Sequence, residues 1–257
     1  MKALYTAATG MAAQQRRIEN ISNNLANVST VGYKKSRENF EDLLYQSLST
    51  SSAGLGTTRA SNLEIGSGVR LASVTRNFSN GDLQQSGNQL DMALVGRGFF
   101  VVQDMNGNEF YTRNGQFGTN ANGELVTQSG NIVNPGISIP SDANYIQIDQ
   151  DGTISAIYNT SPDPVVVGTI QVADFINPAG LRALGGNMYS ATPESGSALY
   201  LDSMDDYSIR QGFVEGSNVD VAEELVNMIT AQRAFELTSK AVESADQTMQ
   251  IVNNLKR

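Results

Sequence analysis

An enzyme built from this chain would have to work without its usual tools. The 257 residues include no His, no Cys and no Trp. Imidazole acid–base chemistry, thiolate nucleophiles and most zinc sites are therefore excluded. Carboxylates, hydroxyls, Lys and Tyr remain. Asp149-Gln150-Asp151-Gly152 has the look of a calcium-loop fragment. With Gly152 at the sixth position of such a loop, the first and twelfth ligands become Gln147 and Tyr158, and neither works. The stretch reads as a hairpin turn. Gly96-Arg97-Gly98 opens like a dinucleotide fingerprint, but Val101 stands where the third Gly is needed. No nucleophile elbow, P-loop or zinc spacing occurs. A carboxylate pair drawn from distant parts of the chain stays open as a hydrolase alternative. No catalytic, cofactor-binding or metal-binding residue is assigned, and no cofactor is expected.

The side chains whose spacing does suggest chemistry are amides. Asn20, Asn23, Asn24 and Asn27 fall on neighbouring helical turns beside Ile21 and Leu25. Asn is a poor helix former, so four in eight residues cost stability unless they make bonds. Two readings stay open, a solvated, fraying helix end or an amide-lined face that bonds to neighbouring helices.

Two long helices position these residues. In residues 1–28, Leu4, Met11, Ile18 and Leu25 recur every seven residues, with Ala7, Gln14, Ile21 and Val28 three residues behind each. Ser29-Thr30-Val31-Gly32 stops that helix, Gly32 being free to take φ > 0. Residues 217–257 contain no Gly or Pro. Val221, Met228, Phe235, Val242 and Met249 form the same kind of stripe, with Ala231, Thr238, Ala245 and Val252 at the small seam. Asp220 and Glu223 make a capping-box-like start, and Lys256 and Arg257 suit the negative end of the helix dipole. A chain that opens and closes with matching seams is built to bring its termini together.

Between the helices turn chemistry dominates. Asn80-Gly81, Asn106-Gly107, Asn114-Gly115, Asn122-Gly123 and Asp151-Gly152 are hairpin signals, and Phe99-Phe100-Val101-Val102 is a short apolar run. Residues 47–62 are rich in Ser and Thr, lack aromatics, and read as a flexible linker or a loop that orders against a neighbour. The expected fold is α+β, with long N- and C-terminal helices paired as a coiled-coil-like domain and an inserted antiparallel, hairpin-rich β body. The boundaries follow: 1–32 with 213–257 as a terminal helical assembly domain, 33–88 with 199–212 as an extended β arm, and 89–198 as a β-rich outer domain.

The net charge of −9 argues against nucleic acid as a partner. No run approaches the ~20 apolar residues that cross a bilayer, so membrane insertion is not expected. Thr6, Thr9 and Gly10 interrupt the first apolar run, and no cleavable signal is read. Residues 1–37 carry six bases against one acid, and 218–257 carry six acids against four bases, which favours pairing of the ends. Burying the seam residues contributes roughly 1.5–3 kcal/mol each, against an ordering cost of about 1–2 kcal/mol per backbone position. The margin for an isolated helix pair is thin. The ends are therefore expected to be mobile in a single copy and rigid in an assembly.

Ile21-Ser22-Asn23-Asn24-Leu25-Ala26-Asn27-Val28-Ser29-Thr30 with Gly32-Tyr33-Lys34 resembles the N-terminal signature of flagellar basal-body rod and hook proteins. Gly216-Ser217-Asn218-Val219-Asp220-Val221, then Glu224-Leu225-Val226-Asn227-Met228-Ile229, Gln232-Arg233-Ala234 and Ser239-Lys240-Ala241, are similar to their C-terminal signature. Asp91 to Phe100 and Tyr111-Thr112-Arg113-Asn114-Gly115 match as well, so the resemblance covers nearly the whole chain. Phe40 to Gln46, followed by the Ser/Thr-rich stretch, is most similar to the distal-rod members.

The resemblance implies a non-enzymatic subunit that leaves the cell through the flagellar type III export apparatus and stacks helically with copies of itself. The product is a hollow, torque-transmitting tube reaching through the periplasm to the outer membrane. Its implied partners are other rod proteins, the hook protein and the P- and L-ring bushing proteins. Its implied interface is Leu4, Met11, Ile18, Ile21, Asn23, Asn24, Leu25, Asn27 and Val28 with Val221, Leu225, Met228, Phe235, Val242, Met249 and Val252. A proximal-rod protein of the same family and a secreted β-rich binding module are the alternatives.

Overall fold

The computed structural model describes residues 2–48, 63–159, 161–201 and 207–255. Most of the Ser/Thr-rich stretch, residues 49–62, lies outside them, as do Lys256 and Arg257. The class is α+β, with one helix near each end of the chain and antiparallel strands between. Helix α1 is Lys2–Ala26 and helix α2 is Val221–Leu255, roughly 38 and 52 Å long at ~1.5 Å per residue. No described helix is long and apolar enough to cross a membrane.

Helix α1 ends at Ala26, two residues short of the expected Val28, and Gly32 takes φ 71° in the turn that follows. Helix α2 starts on a true cap, because Asp220 Oδ1 accepts from the N–H groups of Ala222 at 2.8 Å and Glu223 at 3.2 Å.

The chain divides into two compact units. The first comprises Met1–Leu25, Ser36–Thr75 and Asp220–Arg257, and the second Ala26–Lys35 with Arg76–Val219. In the first unit the strand Ser36–Asp42 pairs with Val69–Arg76, and Tyr45–Leu48 pairs antiparallel with Leu63–Gly66. Arg70 Nη2 reaches Glu41 Oε2 at 2.9 Å on this ribbon. At the same end of the ribbon Val69 N–H donates to Thr9 Oγ1 of α1 at 3.4 Å.

The second unit is built around the strand Phe99–Gln103. It pairs antiparallel with Glu109–Thr112 on one side, and with Ile132–Val133 and Val172–Asp174 on the other. Both of its faces are covered. Phe100 and Val102 join a core with Met92, Leu94, Phe117, Leu125 and Ile154. Phe99 and Val101 join a second cluster with Tyr111, Phe175, Leu181 and Tyr189. A strand buried on both faces needs a continuous apolar run rather than alternation, which is why this stretch reads as Phe-Phe-Val-Val.

Three of the five Asn/Asp-Gly turns close hairpins, at 106–107, 122–123 and 151–152. The other two correct the expectation. Asn80-Gly81 and Asn114-Gly115 join strands that do not pair with one another. A Cβ on Gly115 would collide with the Met92 carbonyl, and one on Gly81 with the Gly216 carbonyl. Neither glycine has positive φ. They are glycines because another backbone lies against them, not because the chain reverses there.

Candidate assembly surface

One amide joins α1, α2 and the ribbon of the first unit. Asn24 is only 1% exposed. Its Nδ2 donates to the Ser36 carbonyl at 2.9 Å and to Glu224 Oε2 at 3.3 Å. Its Oδ1 accepts from the Ser36 N–H at 3.0 Å. The side chain thus pairs with Ser36 as an adjacent strand would. Asn20 supports it, donating to the same carbonyl at 2.9 Å and accepting from the Ser36 hydroxyl at 2.6 Å. The bonds that both side chains make offset the poor helix propensity of Asn.

A second contact lies further along. A Cβ built on Gly10 falls 3.7 Å from Thr238 Cγ2, an ordinary van der Waals distance. Gly10 stands fourteen residues before Asn24, and Thr238 fourteen after Glu224, so the two contacts share one antiparallel register. Halfway between them that register sets Arg17 opposite Ala231, which is fully buried.

The expected interface residues divide by burial. Ile21 and Asn24 are buried. Leu4, Met11, Ile18, Leu25, Asn27 and Val28 on the α1 side, and Met228, Phe235 and Val242 on α2, are half-buried. Asn23, Val221, Leu225 and Met249 are exposed, and the side chain of Val252 lies outside the described residues. Of these, Asn24 is brought into contact with α2 through Glu224, which was not among the expected residues. Gly10, Thr238, Glu224 and Ser36 were not anticipated as a group. A signal existed for two of them: Gly10 is an isolated Gly in a heptad helix, and Glu224 precedes Ala231 and Thr238 by whole heptads.

Helix α2 is apolar on two sides. Glu224, Met228, Ala231, Phe235, Thr238, Val242 and Ala245 lie along one stripe at about 100° per residue. Val226, Ile229, Leu237 and Ile251 lie on roughly the opposite side, each more than half exposed. A surface helix of one folded chain ordinarily has a polar outer face.

In the second unit the segment after α1 and the segment before α2 are bonded together. Glu215 is 1% exposed and holds two buried cations, Lys34 Nζ at 2.7 Å and Arg113 Nη1 at 3.4 Å. Gly81 N–H donates to the same carboxylate at 2.9 Å, and Gly32 N–H to the Glu215 carbonyl at 2.7 Å. The second lysine hydrogen bond goes to the Ser79 carbonyl at 2.7 Å. Burial pulls the Lys34 ammonium below its ordinary value, opposed by the attraction of Glu215, and acts on Arg113 in the same direction. This triad fastens structure and faces no cavity chemistry.

A cleft of about 520 Å³ in the same unit is lined by Asn27, Ser29, Thr112, Asn114, Gln116 and Asn187 among others, with no charged side chain. It offers no general acid, base or nucleophile pair. Among the described residues no cluster of acids could hold a metal ion.

Comparison with known proteins agrees across the chain. Residues 4–34 match the family described as flagella basal body rod protein. Residues 93–156 match the flagellar hook protein FlgE/F/G D1 domain, and 210–255 the flagellar basal body rod FlgEFG protein C-terminal. The chain is 44% identical to the flagellar basal-body rod protein FlgG of Buchnera aphidicola subsp. Acyrthosiphon pisum, covering 98% of each chain. It is 42% identical to FlgG of Borreliella burgdorferi, over 100% of this chain and 99% of the other. To FlgG of Agrobacterium fabrum it is 42% identical over the full length of both.

Proposed function

The chain belongs to the flagellar basal-body rod protein family, and we infer that it acts by mechanical continuity, each copy bonding to copies around it. It is a structural subunit of the distal rod and not an enzyme. We place its α1 and α2 side by side as an antiparallel, coiled-coil-like pair whose register the Asn24–Glu224 and Gly10–Thr238 contacts support. The assembly surface is then the half-buried stripe of α1 with the outer stripe of α2. The β-rich residues 89–198 form an outer domain, and 33–88 with 199–212 an extended β arm.

The observation that carries this reading is the apolar outer stripe of α2. Val226, Ile229, Leu237 and Ile251 are 52–69% exposed. Burying each would contribute about 1 kcal/mol or more, a gain open only to an assembly. Helical stacking of such copies gives a hollow shaft that transmits torque toward the hook. The P- and L-ring proteins surround it, and the flagellar type III apparatus exports its subunits to the periplasmic side.

Concentrating the purified chain tests the proposal. Wild type should form filaments visible by electron microscopy, with helicity rising with concentration. Leu25→Asp should stay monomeric while the β unit remains folded. A wild-type chain that stays monomeric at millimolar concentration, or a Leu25→Asp chain that polymerises normally, would sink it.

A further inference from the structure

Gln14 is the polar member of an otherwise apolar seven-residue pattern on α1, comprising Leu4, Ala7, Met11, Gln14, Ile18, Ile21 and Leu25. Its Oε1 is buried and has no hydrogen-bond partner among the described residues. Such an acceptor costs stability until a donor reaches it. The residue as a whole is only half-buried, as are Met11 and Ile18 on either side. Its terminal torsion is broad and two-fold, so a rotation that brings the oxygen outward costs little.

The complementary group stands on the outer stripe of α2. Arg233 is exposed and makes no hydrogen bond or ion pair among the described residues. Ile229 precedes it by one turn and Leu237 follows by one turn, 52% and 69% exposed. A donor framed by apolar side chains matches an acceptor framed by apolar side chains. Lys240 lies on the same side, but of its neighbours one turn away Glu236, Glu243 and Ser244 are polar and only Leu237 is apolar, so its frame is mainly polar. A guanidinium also desolvates more readily than an ammonium and presents several donors in a fixed fork.

We propose that Gln14 of one copy accepts a hydrogen bond from Arg233 of a second copy, and that this pairing sets the register between neighbouring α1 and α2 helices. It rests on the self-assembly proposed above and names the partner residues. Satisfaction of Gln14 on assembly makes the contact a discriminator, because a neighbour docked out of register leaves the acceptor unpaired.

The natural chain has no cysteine, so crosslinking has no background. Gln14→Cys and Arg233→Cys variants, mixed with wild type under assembling conditions and treated with a bismaleimide, should give a mixed crosslinked dimer, the two long side chains having held their Cβ atoms too far apart for a direct disulfide. Glu19→Cys in place of Gln14→Cys should not. Gln14→Leu should leave the isolated chain at least as heat-resistant as wild type while raising the concentration needed for assembly by about tenfold, the scale of one charge-assisted hydrogen bond. Arg233→Gln should raise it similarly, and the double variant no further. Mixed filaments that incorporate both Cys variants without crosslinking them, or a Gln14→Leu chain that assembles like wild type, would overturn the pairing alone. A wild type that never assembles would overturn the pairing together with the function it rests on.

Discussion

Asn24 Nδ2 lies 3.3 Å from Glu224 Oε2, joining two residues separated by two hundred positions of sequence. Both side chains are 1% exposed. The same Asn24 bonds the carbonyl and N–H of Ser36, so one short amide serves the end of α1, the start of α2 and the first strand of the ribbon. An amide suits this role because it donates and accepts at once, which neither Asp nor Leu can do.

Asn24→Leu should therefore remove more than one bond. It leaves the Ser36 N–H without its acceptor, the Ser36 carbonyl with Asn20 alone and the Glu224 carboxylate one bond short, at a cost of about 2–4 kcal/mol. Hydrogen exchange should show the last turns of α1 and first turns of α2 opening more readily. The near-ultraviolet signal of the Phe99, Phe175 and Tyr189 cluster should be unchanged. Unaltered protection at residues 18–25 would show that the node contributes nothing.

Gly10 makes a graded prediction. A methyl there meets Thr238 at an ordinary distance, and Ala gains roughly 1 kcal/mol of helix propensity over Gly. Gly10→Ala should raise the melting temperature of the helical unit slightly. Gly10→Leu should lower it, because a larger side chain has to displace α2 or Thr238. Equal melting temperatures for the two variants would mean that α2 does not lie against this face.

The Lys34–Glu215–Arg113 triad predicts an order of costs. Glu215→Gln keeps the shape but leaves two buried cations without a countercharge, costing about 3–5 kcal/mol in denaturant unfolding. Lys34→Met leaves the Glu215–Arg113 pair balanced and should cost clearly less. A larger loss from Lys34→Met would mean that the lysine bond to the Ser79 carbonyl matters more than the ionic balance.

The sequence disclosed these features unequally, for physical reasons. Both helices were legible because seven-residue recurrence and the Asp220 cap are local signals, and the Phe99–Val102 run announced a buried strand. Gly81 and Gly115 misled because an Asn-Gly pair looks the same whether it reverses the chain or makes room for another backbone. The triad was not legible at all: Lys34 and Glu215 stand 181 residues apart, and Arg113 and Glu215 stand 102 apart. No periodicity links them. The four Asn residues drew notice as a cluster, yet the reason that Asn24 is buried and Asn23 exposed is the position of Ser36, which only the fold supplies.

Alkaline pH separates the last of these contributions. Tyr111 is 4% exposed, and burial, together with the nearby Glu109 carboxylate, pushes its phenol up to about 12. The unfolded chain loses that proton near pH 10, so the unfolded state binds fewer protons than the native state between the two values. Stability from this group is complete below pH 10 and is lost as pH rises through about 12, a change of roughly 2–3 kcal/mol. The Lys34 ammonium, lowered by burial, works the other way below its unfolded value, so the wild-type profile alone mixes two slopes. Comparison with Tyr111→Phe isolates the phenol. The difference in unfolding free energy between the two chains should be flat up to pH 9 and shift toward the variant between pH 10 and 12. A constant difference across that range would place the Tyr111 hydroxyl in water, free to ionise in the folded chain.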